Sequence, residues 1–252
     1  MSKQKFSTAA VDRIGSLPEE ILIHILSFFP TKQAVATSIL SKRWIHLWLY
    51  VPVLKFTKTK WKDQKSYSRF KELVFSILRS REAVGNHSIN TFILDPQYCY
   101  TDTPIPKLPI SNLTCTTLKT LHLKNIYFDK LSNVDFLRWM LLDGCPVLED
   151  LQLSNINFFK CYTHHYFDDF ENKSMLRKLN SADITDCECY FPVKSLSNLE
   201  FLCVCFIIEL NEKEHNVIHL YFLFCGIEFC NTSVIFVKFR FINLMTFLHS
   251  TI

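Results

Sequence analysis

Glycine is scarce in this sequence, with four residues among 252. Phosphate-binding loops use glycine so that backbone amides can approach the ligand, and no Gly-x-x-x-x-Gly-Lys-Ser motif occurs. The Gly-x-Ser-x-Gly elbow of hydrolases and the redox pair Cys-x-x-Cys are also missing. An enzyme is therefore the class of protein that the sequence supports least, and we assign no catalytic residue and no cofactor.

Strong charge is also lacking, since the net charge is +4 over the whole length. A charge this small does not indicate nucleic-acid binding by itself. Hydrophobic residues make up 48% and charged residues 21%, which is typical of a globular protein. No apolar run of signal-peptide length opens the chain, so we expect the ten cysteines to be reduced and mostly buried, in cytoplasm or nucleus.

Two groups of residues have side chains that bind metals. Cys161, His164, His165, Asp168 and Asp169 cluster, but no second ligand pair stands at zinc-finger spacing. His215 and His219 lie four apart, yet Asn216 stands where zinc proteases have a glutamate. We predict no metal site at either group.

The first organised block predicts three short helices. Ser16 and Glu19 have the spacing of a capping box before the first helix, and Pro30 ends it. Thr31 and Ser41 are placed to cap the second and third helices. A bundle this small buries little surface, so it either packs on the rest of the chain or offers an apolar face to another protein.

Two segments of this block resemble the F-box of plant F-box proteins. Residues 12–27 resemble its first half and residues 34–48 its second half. The pair Leu17-Pro18 and the run Leu40-Ser41-Lys42-Arg43-Trp44 are the most specific parts. Phe29 departs from the leucine that usually precedes the proline, and Ala36 departs from a frequent basic residue.

The resemblance implies that this module binds a Skp-type adaptor, which joins a cullin and a RING subunit. The chain would then be the substrate receptor of a ubiquitin ligase complex. The positions that match the family and are expected to contact the adaptor are Leu17, Pro18, Ile21, Ile25, Leu26, Val35, Leu40, Trp44 and Trp48. Some of them must instead fill the core of the module.

A basic segment and an amphipathic helix are predicted next. Residues 55–65 carry five lysines and Trp61, which favours a solvated connector over a nucleic-acid site. Apolar residues at helical spacing over 70–78 predict an amphipathic helix. Arg81 suits the C-terminal dipole of this helix, and Gly85 can serve as its C′ residue.

An apolar-x-x-apolar-x-apolar motif then recurs, starting at Ile89, Leu118, Leu148, Leu176 and Leu199. Its copies begin 29, 30, 28 and 23 residues apart, close to the period of leucine-rich repeats. Each copy predicts a short strand with alternate residues on one buried face, and Ser132 can cap a helix between strands. In the fourth copy Ser181 occupies an apolar position.

A module of this kind followed by irregular leucine-rich repeats resembles the plant F-box/leucine-rich-repeat family. In that family the repeats form a curved solenoid that recognises the substrate. Exposed positions between the core leucines are the candidates for target binding: Lys119, Thr120, His122, Glu149, Asp150, Gln152, Arg177 and Lys178.

The C-terminal residues 216–252 contain seven phenylalanines and three charged residues. The leucine pattern stops there, although residues 237–241 alternate like a strand. Buried strands, a membrane-associating segment and the end of a mis-spliced gene product would each account for this composition. The last is our hypothesis.

These observations predict an α/β protein in which a three-helix F-box precedes an irregular leucine-rich-repeat solenoid. The expected segments are a disordered tail (1–11), the F-box (12–54), a connector with an amphipathic helix (55–87), the repeats (88–210) and an atypical apolar segment (211–252). The expected function is substrate adaptor of a Skp-cullin-F-box ligase in nucleus and cytoplasm, without nucleic acid or membrane. The alternatives are a truncated F-box protein that binds the adaptor but no target, and a nucleic-acid-binding repeat protein.

Overall fold

The chain has a mixed α/β fold with a helical N-terminal module. The computed structural model describes residues 13–60, 64–97, 115–132, 135, 136, 141, 143–160, 176–187, 199–210 and 234–243. The predicted tail over residues 1–11 lies outside these residues, as do both groups of metal-binding side chains. Within the described part, no helix has the length and apolar character needed to cross a membrane.

Helices precede most of the strands along the chain. The module contains α1 (Glu19–Ser27), α2 (Thr31–Ala36) and three short 3-10 helices (Thr37–Ile39, Lys42–Trp44 and Leu47–Tyr50). A long helix, α3 (Gln64–Ala83), follows the first strand. The strands are β1 (Val53–Lys60), β2 (Thr91–Gln97), β3 (Thr120–Ser132), β4 (Asp150–Lys160), β5 (Ser181–Cys187), β6 (Phe201–Leu210) and β7 (Val234–Asn243).

These seven strands form one parallel sheet in which each strand pairs with the next one along the chain. The register aligns one row of apolar side chains across five strands: Leu54, Phe92, Leu121, Leu151 and Ala182. A second aligned row is Phe56, Leu94, Leu123, Leu153 and Ile184. Every member of both rows is buried, so one face of β1–β5 forms the core, as alternation along the strands requires.

The repeat pattern starts one strand earlier than the sequence predicted. Residues 55–60 belong to β1 rather than to a solvated connector, because Leu54 and Phe56 are buried beside Phe92 and Leu94. Lys55 occupies an outward position between the buried Leu54 and Phe56, and the lysines of the segment concealed the alternation in the sequence. The basic segment is thus in large part a strand with one wet face.

The fourth repeat has a different frame from the predicted one. Leu151 pairs with Ala182 and Leu153 with Ile184, so the copy begins at Leu179 instead of Leu176. Ser181 then aligns with Asp150 on the polar face, and no apolar position is lost. The small side chain of Ala182 disguised this frame, because alanine stands where the other copies have a large apolar residue.

Helix α3 confirms the predicted amphipathic helix. Phe70, Val74 and Ile77 are buried in the core that underlies the sheet. Gly85 has φ of 69°, and its N–H donates to the Glu82 carbonyl at 2.9 Å. The N–H of Asn86 donates to the Arg81 carbonyl at 3.0 Å, which completes a Schellman motif.

Part of the C-terminal segment joins the sheet. Strand β7 pairs with β6 from Phe201 opposite Val234 to Leu210 opposite Asn243. The strand predicted over residues 237–241 is therefore confirmed. The hypothesis of a mis-spliced end stays a prediction.

Candidate protein-interaction sites

The two α-helices of the N-terminal module have prolines at their N-cap positions, whereas Ser41 occupies the predicted N-cap position of the 3-10 helix Lys42–Trp44. Pro18 is the N-cap residue of α1, and the Ser16 hydroxyl donates to the Arg13 carbonyl at 2.9 Å. Pro30 is the N-cap residue of α2, and the Thr31 hydroxyl accepts the Lys55 N–H at 2.7 Å. The predicted capping box at Ser16 was wrong because the helix starts one residue after the proline.

A small core inside the module explains which apolar residues are unavailable to a partner. It consists of Leu22, Leu26, Ala34, Trp44, Leu47 and Val51. Leu26 and Trp44 were predicted to contact an adaptor, but the structure buries both, at 1% and 7% exposure. Their side chains hold the module together, because a bundle this small has few other residues to exclude water.

The remaining predicted contacts are spread between the surface and the half-buried rim. Pro18, Ile21 and Leu40 are exposed, whereas Leu17 and Ile25 are half-buried. Val35 and Trp48 are half-buried and pack against the large core under the sheet. They therefore contribute to the junction between module and sheet.

Several exposed apolar residues of the module were missed by sequence reasoning. These are Ile14, Phe28, Phe29, Ile39 and Ile45, with Ile39 the most exposed at 86%. Ile39 and Leu40 are adjacent at the end of the 3-10 helix that follows α2. The position of Ile39 directly before the specific run from Leu40 to Trp44 could have pointed to it. Its exposure could not be predicted, because the spacing of an α-helix does not assign faces in a 3-10 segment.

Arg81 joins the module to the sheet from inside the protein. Its side chain is 1% exposed and donates to the carbonyls of Val51 at 2.7 Å and Ser88 at 2.8 Å. Burial lowers the pKa of the guanidinium to about 10, although the nearby Cys115 acts in the opposite direction. Asn86 adds a third bond, from its amide to the Leu49 carbonyl at 2.7 Å. Arg81 lies in the last turn of α3, as predicted, and its buried hydrogen bonds give it a structural role as well.

The polar face of the sheet, defined as the outward side chains of β1–β5 with the turn residues directly before each strand, is the second candidate surface. Lys119 Nζ lies 2.9 Å from Glu149 Oε1. His122 Nε2 donates to Asp150 Oδ2 at 2.7 Å. Gln152 Nε2 donates to Asp183 Oδ2 at 3.0 Å. Hydrogen bonds therefore connect β3 to β4 and β4 to β5 across this face.

Most of the predicted target-binding residues meet on this face. Lys119, His122, Glu149 and Gln152 lie together, and Thr120 and Asp150 lie beside them. Arg177 and Lys178 are exposed in the turn before Leu179, because the fourth repeat begins three residues later than predicted. Asp183 was missed for the same reason.

Comparison with known proteins gives a family match at the N-terminal module. Residues 14–56 match the F-box domain. An F-box/LRR-repeat protein of Arabidopsis thaliana is 32% identical over 197 residues, which cover 58% of this chain and 37% of that protein. An F-box/FBD/LRR-repeat protein is 32% identical over 184 residues (56% and 40%), and an FBD-associated F-box protein is 34% identical over 181 residues (56% and 46%), both from the same plant.

Residues 14–56 of the chain thus match the F-box domain, and the chain is similar to plant F-box/LRR-repeat proteins. It spans less than half the length of these three relatives. The match to the F-box begins at Ile14 and ends inside β1, at Phe56. It therefore contains the whole core of the module together with the first buried strand positions.

Arg43 connects the two halves of the F-box match. Its two terminal nitrogens donate to the carbonyls of Gly15 and Leu17. The second half of the F-box is thereby bound to the turn before α1, which orients Pro18 and the start of the helix. The sequence places this arginine in the specific run from Leu40 to Trp44 but does not predict its hydrogen bonds.

The described part of this chain contains no group of three or more metal-binding side chains. Cys115, Cys145 and Cys187 are free and buried, as the sequence predicted for most of its cysteines. Burial raises the pKa of the Cys145 thiol to about 11. This thiol is a small apolar side chain in the core rather than a nucleophile or a ligand.

Proposed function

We propose that this chain is a non-catalytic substrate adaptor of a Skp-cullin-F-box ubiquitin ligase. Its F-box would bind a Skp-type adaptor, and through it a cullin and a RING subunit, while the sheet binds the protein to be ubiquitinated. The observation that carries the proposal is the set of exposed apolar side chains within the F-box match. Eight large apolar residues between Ile14 and Tyr50 have more than two fifths of their surface in water.

Exposed apolar residues at this density favour a protein partner. Burying apolar surface contributes about 25 cal/mol per Å². Ile39 and Leu40 are adjacent in sequence and are exposed to 86% and 63%. Covering this pair would bury more apolar surface than covering any other two consecutive residues among the eight. We infer that this pair belongs to the adaptor contact together with Pro18 and Ile21. The half-buried Leu17 and Ile25 would line its edge.

We further infer that the sheet is the inner surface of a leucine-rich-repeat solenoid. Parallel pairing in chain order supports this, since each repeat then contacts only its neighbours. The frames at Ile89, Leu118, Leu148 and Leu179 support it too, because equivalent positions recur at near-constant spacing. The polar face would present Lys119, His122, Glu149 and Gln152 to the target.

The contribution to the reaction would be proximity. An adaptor that holds the target beside a loaded ubiquitin-conjugating enzyme converts an encounter in solution into a reaction within one complex. No side chain of this chain takes part in the covalent step. Nucleus and cytoplasm are the compartments in which we expect the complex.

The test is co-purification of the full chain with a plant Skp-type adaptor. We expect the double variant Ile39→Ser, Leu40→Ser to lose binding about tenfold or more, because two exposed apolar side chains leave the contact. Both residues are exposed, so the thermal unfolding midpoint should remain within a few degrees of wild type. Val84→Ser is the matched control, since Val84 is 46% exposed at the end of α3 and lies outside the F-box match.

A folded wild-type chain that does not bind the adaptor would remove the proposal. Equal binding by the double variant and Val84→Ser would move the contact to another face of the F-box. The alternative is an F-box protein that binds the adaptor without a target, motivated by the apolar composition of residues 216–252. Adaptor binding with no target ubiquitinated in the reconstituted ligase would favour it.

A further inference from the structure

The middle row of the polar face carries charge of opposite sign at its two ends. The register places Lys55, Ile93, His122, Gln152 and Asp183 side by side across β1–β5. All five side chains are half-buried. A protein that covers this face must therefore contact the row, and the charges in it decide which proteins bind.

Two acidic side chains of the described face have a basic side chain beside them. Glu149 pairs with Lys119 in the turn row, and Asp150 accepts from His122. The Lys119–Glu149 ion pair remains compensated when water leaves the face.

Asp183 differs from these groups. Its carboxylate accepts from Gln152 Nε2 at 3.0 Å and from Thr185 Oγ1 at 3.2 Å, and both donors are neutral. Its neighbours in register are Gln152 on β4 and Cys203 on β6, which are neutral as well. The two hydrogen bonds fix the carboxylate in place without cancelling its charge.

Burying a fixed carboxylate that has no counter-charge among the described residues is costly unless the partner supplies a positive charge. Lys55, at the other end of the row, has the apolar Ile93 beside it. A partner that buries Lys55 must therefore supply a negative charge. Four strand spacings of about 4.8 Å separate Lys55 from Asp183, or about 19 Å.

We propose that the polar face binds a target segment that presents a lysine or arginine to Asp183, with its acidic end towards Lys55. This rests on the proposed function, because it specifies the chemistry of the target that the sheet would hold. Asp183 acts as a specificity-determining residue: the cation gains a charged hydrogen bond, and a neutral or acidic side chain at that position leaves Asp183 buried without a counter-charge.

The experiment uses the full chain in complex with a plant Skp-type adaptor and a phage library of random twelve-residue peptides. Wild type, Asp183→Asn, Asp183→Lys and the control Asp143→Asn are panned in parallel. Asp143 is exposed in a turn off the sheet, so the control removes the same charge without touching the face. Circular dichroism and adaptor content are measured on each sample.

We expect wild type and Asp143→Asn to select peptides with a shared lysine or arginine. A selected peptide should bind Asp183→Asn about tenfold or more weakly, and replacing its conserved cation by glutamine should reduce binding to wild type by a similar factor. Asp183→Lys should select acidic peptides instead. Each variant should keep its adaptor.

The proposal is overturned if wild type enriches no peptides, or only peptides without a shared cation. It is also overturned if folded Asp183→Asn binds the selected peptides as wild type does. In those cases the adaptor is still bound and the F-box assignment stands. Loss of the adaptor from wild type would instead remove the proposed function.

Discussion

Two asparagines and one aspartate with positive φ bend three successive strands at equivalent positions. Asn125, Asn155 and Asp186 occupy equivalent places in three repeats, with φ of 52°, 52° and 50°. Asparagine and aspartate tolerate this left-handed conformation better than other side chains. The Asn155 amide donates to Asn125 Oδ1 at 3.0 Å, and the Asn125 amide donates to the Pro96 carbonyl at 3.2 Å. Neighbouring repeats are thus connected at the same bend.

Asp186 interrupts this ladder because a carboxylate has no N–H to donate. Its Oδ1 is buried without a hydrogen-bond partner among the described residues. We expect Asp186→Asn to raise the free energy of unfolding by about 1 kcal/mol, since the new amide can donate to Asn155 Oδ1. Urea unfolding followed by circular dichroism measures the change, and Asp143→Asn controls for the lost charge. An unchanged or lower free energy of unfolding would show that the ladder does not extend to the third repeat.

At the scale of elements, caps decide where helices begin and end. Ser132 confirms its predicted cap: its Oγ accepts the Asp135 N–H at 3.1 Å, and its hydroxyl donates to Asp135 Oδ2 at 2.7 Å. The similar spacing at Ser16 fails because Pro18 occupies the N-cap position itself. Helix α3 ends at Gly85, where a left-handed residue closes the Schellman motif.

Gly85 offers a test of that ending. We expect Gly85→Ala to lower the free energy of unfolding by about 1 kcal/mol, because φ of 69° strains a residue with a Cβ. A Cβ there meets no atom within 4 Å, so the loss would come from the backbone and not from a clash. Gly85→Asn should lose less, since asparagine adopts this region more readily. Equal thermal midpoints for the two variants would contradict the conformational explanation.

At the scale of the whole molecule, the F-box and the sheet form a continuous structure. The Thr31 hydroxyl accepts from the Lys55 N–H on β1, and Val35 and Trp48 pack against the core under the sheet. Arg81 satisfies one carbonyl of the module and one of the loop before β2. We therefore expect the two parts to unfold together.

Arg81→Met tests this coupling. The variant keeps the length of the side chain but leaves the carbonyls of Val51 and Ser88 without their donor, at a cost of about 2–4 kcal/mol. Amide hydrogen exchange should then become faster at Leu26 in the F-box than at Leu123 in β3, whereas both exchange with similar protection in wild type. Arg79→Met is the matched control on the exposed side of α3. Equal acceleration at both amides would mean that Arg81 stabilises the molecule without coupling its parts.

The sequence alone determined the features that local patterns encode. Helical spacing identified α1, α2 and α3. The recurring motif identified the buried positions of β2, β3 and β4 and the place of β6 along the chain, because periodicity follows directly from backbone geometry. The candidate site was identified as two regions, the module and the outward strand positions. Most of the outward residues named in advance do share one face.

Only the tertiary structure decided which residues face a partner. Leu26 and Trp44 are buried while Ile39 is exposed, and all three are apolar, so composition could not separate them. Pairing with β4 set the frame of the fourth repeat and moved Asp183 onto the polar face. Arg81 donates to the carbonyl of Val51, which is 30 residues away along the chain. A contact between residues so far apart in sequence depends on how the elements pack. The physical reason is the same throughout: a local pattern gives the period of an element, and its neighbours select the face, the register and the partners.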